Sequence, residues 1–159
     1  MARQTSDRQV EVVDAVLGAS RVLVSVAARS LLCVEGAITL PQFRVLVLLS
    51  SRGPQRVVDL AGALDAEPST ATRLCDRLVR KKLVRRQRLV NDRRTVQVAI
   101  ADSGEVLVAE VMGQRKAAMA AILQRVSVED QDRLVDALRS FNEAAGEVPE
   151  HAWSLGWDT

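Results

Sequence analysis

Tyrosine is absent from this 159-residue chain, histidine occurs once, at His151, and cysteine twice, at Cys33 and Cys75. The cysteines lie 42 positions apart and form no CxxC pair, which argues against a zinc site built from local Cys and His ligands. A Ser-His-Asp relay would have to draw its histidine from the C-terminal tail. Carboxylate chemistry is not removed by counting. A secretory segment is lacking too: the N-terminus MARQTSDRQ is polar, with no apolar run behind a basic start. Two thiols in such a chain point to reduced cysteines in a cytoplasm. Long hydrophobic runs are missing, and none approaches the roughly 18 residues of a membrane span. The longest, Val22 to Leu32 and Val45 to Leu49, are flanked or broken by Arg21, Arg29 and Arg44. The expectation is a soluble, cytoplasmic protein with no membrane partner, no cofactor and no metal site. Its hydrophobic fraction of 48% suffices for one packed domain or a tight pair of subdomains, and the length rules against a large multi-domain enzyme.

What is present reads as mostly helix. From Asp7 to about Cys33 there is no proline, and apolar residues occupy more than one face, among them Val10, Val13, Leu17, Leu23 and Ala27. So broad an apolar surface needs a cover, and a subunit interface is the simplest one. After Gly36, Thr39 as N-cap and Pro41 in the first turn start a second helix that carries Phe43, Leu46, Val47 and Leu49. A short helix is expected from Val57 to Glu67. Pro68 opens the next, in which Ala71, Leu74, Cys75 and Leu78 recur at i, i+3, i+4 and i+7. That stripe leaves Ser69, Thr72, Arg73, Asp76, Arg77 and Arg80 outward, the form of a helix-turn-helix. Leu83 to Leu89 and Thr95 to Ile100 flank an Asn91-Asp92 turn and read as a β-hairpin with a basic tip. Two helices complete the chain, from about Ser103 to Val126 and from a Ser127 cap onward. The tail from Gly146, with Pro149, Trp153 and Trp157, has no clear period.

Formal net charge is only +2, but the charge is not evenly spread. Between Arg73 and Arg94 ten basic side chains face only Asp76 and Asp92, so that segment carries +8 and the other 137 residues −6. Most basic runs are solvated faces that bind nothing. A basic block coinciding with a helix-turn-helix and its hairpin is instead what counterion release from a phosphate backbone requires.

These residues resemble the MarR family of bacterial transcriptional regulators over nearly the whole chain. The resemblance is carried by QFRVL at Gln42 to Leu46, by the run from Leu60 to Arg86 with its core at Ser69, Thr70, Thr72 and Arg73, and by DRRTVQVAIADSG from Asp92 to Gly104. It implies a mainly α fold: a winged helix-turn-helix with a small β-hairpin wing and a helical dimerisation region. Residues 1–36 would be an N-terminal dimerisation helix, 37–104 the DNA-binding domain, and 105–159 the C-terminal dimerisation helices and tail. It also implies a homodimeric regulator, a repressor and not an enzyme, released from a pseudo-palindromic operator on double-stranded DNA by a small, often aromatic or phenolic, effector. The sequence assigns no residues to that effector.

Carried over, Ser69, Thr70, Thr72 and Arg73 sit at the start of the recognition helix in the major groove, where Arg73 can take a guanine bidentately. Arg77 and Arg80 face the DNA backbone, Arg86 belongs to the same DNA-binding set, and Arg93 enters the minor groove. Asp92 and Arg94 form the wing's brace, Arg94 being equally suited to a phosphate contact. Two positions depart from the family pattern: Lys82 stands where a glycine commonly follows the recognition helix, and Ala101 replaces the threonine after the wing, passing the cap of the next helix to Asp102 or Ser103. The absence of tyrosine and the position of Cys33 count against the peroxide-sensing branch. Two alternatives stand beside the main reading: redox control through Cys75 or Cys33, both otherwise packing residues, and a winged helix that meets an acidic protein partner. Arg21 and Arg44 read as surface arginines, and His151 with the tail tryptophans as a cover for apolar dimer surface.

Overall fold

The structure, a computed structural model, describes residues 2–32, 34, 38–88 and 95–146. Cys33, the hairpin tip with Asp92, Arg93 and Arg94, and the tail with His151, Trp153 and Trp157 lie outside the described residues. The elements run α1 (Ala2–Leu32), α2 (Leu40–Arg52), α3 (Val57–Ala63), α4 (Pro68–Arg80), β1 (Val84–Arg88), β2 (Val96–Ile100), α5 (Asp102–Leu123) and α6 (Val128–Ala144). The fold is mainly α with a two-stranded antiparallel hairpin, as the sequence led us to expect. No described helix is long and apolar enough to cross a membrane.

Helix α2 is the centre of the core. A full capping box starts it: the Thr39 hydroxyl accepts from the Gln42 backbone N–H at 3.4 Å and Gln42 Oε1 accepts from the Thr39 N–H at 3.1 Å. Gln42 is thereby satisfied although buried, and behind it Phe43, Val45, Leu46, Leu48 and Leu49 are buried. Burying each such apolar side chain stabilises the fold by about 1.5–3 kcal/mol. Around α2 stand Leu60 from α3, Cys75 and Leu78 from α4, Val84 and Val98 from the hairpin, and Leu107 and Val111 from α5.

Helix α3 ends at Ala63, earlier than the expected Glu67. Asp65 turns into the left-handed region, with φ 50°, and breaks the helix. Each strand starts one residue later than read, at Val84 and Val96, and Leu89 lies outside the described residues; Val84 stands opposite Ile100, Arg86 opposite Val98 and Arg88 opposite Val96. Gln55 adds a backbone bridge on the far side of Val98, bonding it at 2.9 and 2.8 Å. The cap of α5 corrects another expectation: Ala101 is the N-cap, with no side-chain cap bond, while Asp102 and Glu105 lie in the first turn, where they complement the positive end of the helix. Ser127 caps α6 as read, accepting from the Asp130 N–H at 3.2 Å.

Helices α1 and α6 remain largely uncovered. Among the α1 residues whose burial is described, 7–32, only Val26, Ser30 and Leu31 are buried, whereas Val13, Leu17 and Leu23 are each 51% exposed. Helix α6 buries no residue and leaves Leu134, Val135, Leu138 and Phe141 in the open.

Candidate nucleic-acid interface

Successive residues of an α-helix are turned by about 100°, so positions two apart face nearly opposite ways. In α4 the stripe Ala71, Cys75, Leu78 is fully buried, and the stripe two residues on, Arg73, Arg77, Arg80, is exposed. Core packing on one side therefore fixes three guanidinium groups on the other. Pro68 opens the helix, its N-cap Glu67 makes no side-chain cap bond, and the first turn holds no acid. The Thr70 and Ala71 N–H groups both turn to the Glu67 carbonyl, at 2.9 and 3.1 Å, and the helix dipole leaves this end favourable to an anion.

The short hydroxyls are organised within that end. Thr72 Oγ1 donates to the Pro68 carbonyl at 2.8 Å, and Arg73 Nη2 donates to Thr70 Oγ1 at 3.3 Å, which steadies the guanidinium against its own helix. Ser69 and Thr72 are exposed and Thr70 half-buried. Arg77, Arg80 and Lys81 border an open cleft of about 300 Å³ together with Gln42.

The corner from α4 into β1 is made by Lys82 itself, at φ 61°. Its carbonyl accepts from the Ser103 hydroxyl at 2.7 Å, and the Ala101 N–H donates to the Leu83 carbonyl at 3.0 Å. The wing thus leaves the recognition helix by the glycine-type corner without a glycine. On β1, Arg85 donates to the Ile100 carbonyl at 3.1 Å, and Arg86 pairs with Asp76 of α4 at 2.5 Å. Arg86, read from sequence as one of a set of DNA contacts, is exposed and engaged in this ion pair within the chain. The Asp92–Arg94 brace and Arg93 fall outside the described residues.

Cys75 lies fully buried beneath this face. Burial pushes its thiol pKa up, with the nearby Arg86 guanidinium opposing in part. The nucleophilic thiolate is therefore scarce, and the side chain packs as a small hydrophobe.

Sequence reasoning missed one basic residue. Arg115 of α5 donates from Nε to Ser30 of α1 at 3.0 Å and lies over the Phe43 ring, 4.7 Å from its centroid. Its Nη2 is buried with no hydrogen-bond partner among the described residues, and burial lowers its pKa. Beside Ser30 runs a crevice of about 320 Å³ between α1 and α5, lined by Val26, Arg29, Gln114, Ala118 and Ile122. No group of His, Cys, Asp and Glu among the described residues is arranged to hold a metal.

A helix pair with an outward basic stripe, followed by a braced hairpin, is the arrangement of a winged helix-turn-helix, and the family model for "MarR family" matches residues 38–96, spanning α2 to the start of β2. The solved structure of RV1404 from Mycobacterium tuberculosis is 38% identical, superposes with a TM-score of 0.80, and is matched over 87% of this chain and 94% of that one. The structure of a MarR family protein from Bacillus stearothermophilus is 28% identical, with a TM-score of 0.77 over 88% of this chain and 97% of that one. The chain belongs to the MarR family of DNA-binding transcriptional regulators. The HTH-type transcriptional repressor MdtR of Bacillus subtilis is 33% identical over 93 residues, which is 58% of this chain and spans only 60% of that repressor. Membership of a family of DNA-binding regulators accounts for the basic block that the near-neutral net charge concealed.

Proposed function

We propose that this MarR family chain is a homodimeric, sequence-specific repressor that leaves a pseudo-palindromic operator when a small-molecule effector binds. One observation carries the DNA-reading part: Arg73, Arg77 and Arg80 stand on the face of α4 opposite its buried stripe, in a helix with no acid in its first turn. In this reading Ser69, Thr70 and Thr72 meet phosphates or base edges, Arg73 takes a guanine, and Arg77 and Arg80 hold the backbone. Arg93 reaches the minor groove, with Asp92 and Arg94 bracing the wing tip. The uncovered apolar faces of α1 and α6 support the dimer, in which residues 1–36 and 105–159 serve association and 37–104 serve DNA. Similarity to a named repressor supports the direction of control.

The effector has a suitable place in the crevice between α1 and α5, whose walls are apolar at Val26, Ala118 and Ile122 and cationic at Arg29. Arg115, behind Ser30, adds a buried positive charge that favours small aromatic or phenolic molecules with an acidic group. A ligand there touches α1 and α5 and is linked to the core of the DNA-binding domain through Ser30 and Arg115, which lies over Phe43, so its binding energy can bias the separation of the two recognition helices.

The test is a fluorescence-anisotropy titration with a duplex enriched by the wild-type chain from a random-sequence pool. Arg73→Ala should weaken binding to that duplex by roughly 10–100-fold, the worth of one bidentate base contact, and should relax preference at one base position in each half-site. Intact sequence preference in Arg73→Ala would overturn the reading.

A further inference from the structure

Two surfaces must meet DNA at once in the proposed complex, the recognition helix α4 and the wing, and the angle between them decides whether both fit. The corner between them is tied at its base, where Ser103 grips the Lys82 carbonyl and Ala101 the Leu83 carbonyl. Those ties fix where the wing starts. They do not fix how the strand leans beyond it.

Arg86 is the third residue of β1, opposite Val98, and Val98 is held on its other side by both backbone bonds to Gln55. The guanidinium of Arg86 reaches back to the carboxylate of Asp76, midway along α4, at 2.5 Å. Both side chains are half-exposed, at 48% and 49%. Such a pair contributes little to stability. Its cost to DNA binding is not small in principle, because from Arg73 to Arg88 Asp76 is the one acid among eight basic residues, on the segment that would approach phosphates. An acid in that place weakens binding to any DNA unless its geometry contributes something else.

We infer that Asp76 and Arg86 form a clasp that sets the lean of the wing against the recognition helix, which makes both of them positioning residues for sequence reading. The inference rests on the DNA-reading function proposed above. It assigns Arg86 a place within the protein, in contrast to the phosphate contact that its charge alone suggests.

The sign of one substitution separates the two accounts. Asp76→Asn keeps the shape, removes a negative charge and frees Arg86. If Asp76 acted only as a charge, the variant would bind every duplex more tightly by the same factor. If it is a clasp, affinity for a random-sequence duplex rises or holds, while the preference for the enriched duplex over the random one falls by about tenfold or more. The salt dependence of binding also steepens by about one counterion as Arg86 joins the phosphates. The double exchange of Asp76→Arg with Arg86→Asp rebuilds the pair in reverse and should recover most of the preference. An unchanged preference ratio in Asp76→Asn, or a double exchange no better than Arg86→Asp alone, overturns the clasp. A wild-type chain that enriches no sequence overturns the function beneath it, a separate outcome visible before any variant is made.

Discussion

Lys82 occupies a conformation that a side chain resists. At φ 61° its Cβ crowds its own backbone, at a cost of roughly 1–3 kcal/mol, yet the corner needs that dihedral to turn α4 into the wing. The surroundings hold it there: the Lys82 N–H bonds the Val79 carbonyl at 2.9 Å, and the Ser103 hydroxyl holds the Lys82 carbonyl. Lys82→Gly should therefore stabilise the protein by about 1 kcal/mol after the extra entropy of glycine in the unfolded chain is set against the relieved strain. In thermal denaturation that is a Tm higher by about 2–4 °C. A lower Tm would show that the lysine stem makes contacts outweighing the strain. The charge on Lys82 gives a reason for its presence in a DNA-binding corner despite the conformational cost.

Between elements, a close approach occurs at Gly104, in the first turn of α5. A Cβ there would stand 2.3 Å from the Leu83 carbonyl oxygen and 2.7 Å from Ile100 Cγ1, so the start of α5 lies directly on the corner that sends out the wing. Gly104→Ala must push α5 off that corner, and overpacking of this kind costs roughly 1–3 kcal/mol. Urea unfolding would register the loss as a lower midpoint, and a midpoint equal to wild type would contradict the packing described. Much of this arrangement was legible beforehand. The period of Ala71, Cys75 and Leu78 announced both faces of α4, and Thr39 with Pro41 announced the start of α2, because caps and stripes are local properties of sequence. The end of α3 was not legible, since Leu64 and Ala66 favour helix on either side and the left-handed turn at Asp65 is closed by backbone bonds alone, Asp65 N–H to the Gly62 carbonyl at 3.2 Å and Ala66 N–H to the Ala61 carbonyl at 3.0 Å. The cap of α5 was misplaced by reasoning from side chains alone, when the backbone of Ala101 takes that position. Arg115 gave no local signal at all, because its partner Ser30 lies 85 positions away. The Asp76–Arg86 pair depends on the corner at Lys82, and only the folded corner brings it together.

At the scale of the whole molecule, a +2 chain is divided between a +8 reading segment and a −6 remainder. Counterion release makes the first a source of affinity for any duplex, and sequence preference must come from geometry added to it. On the proposed reading that geometry has two levels: within a subunit the corner and clasp, and between subunits the apolar faces of α1 and α6, whose association would set two copies of α4 at a fixed separation. The central claim, that two such helices read DNA together, is tested most directly by selecting duplexes from a random-sequence pool with the wild-type chain and sequencing what is enriched. The account predicts an inverted repeat whose half-sites are centred about one helical turn apart, roughly 10 base pairs. Enrichment of a single asymmetric site, or of no sequence at all, would contradict it.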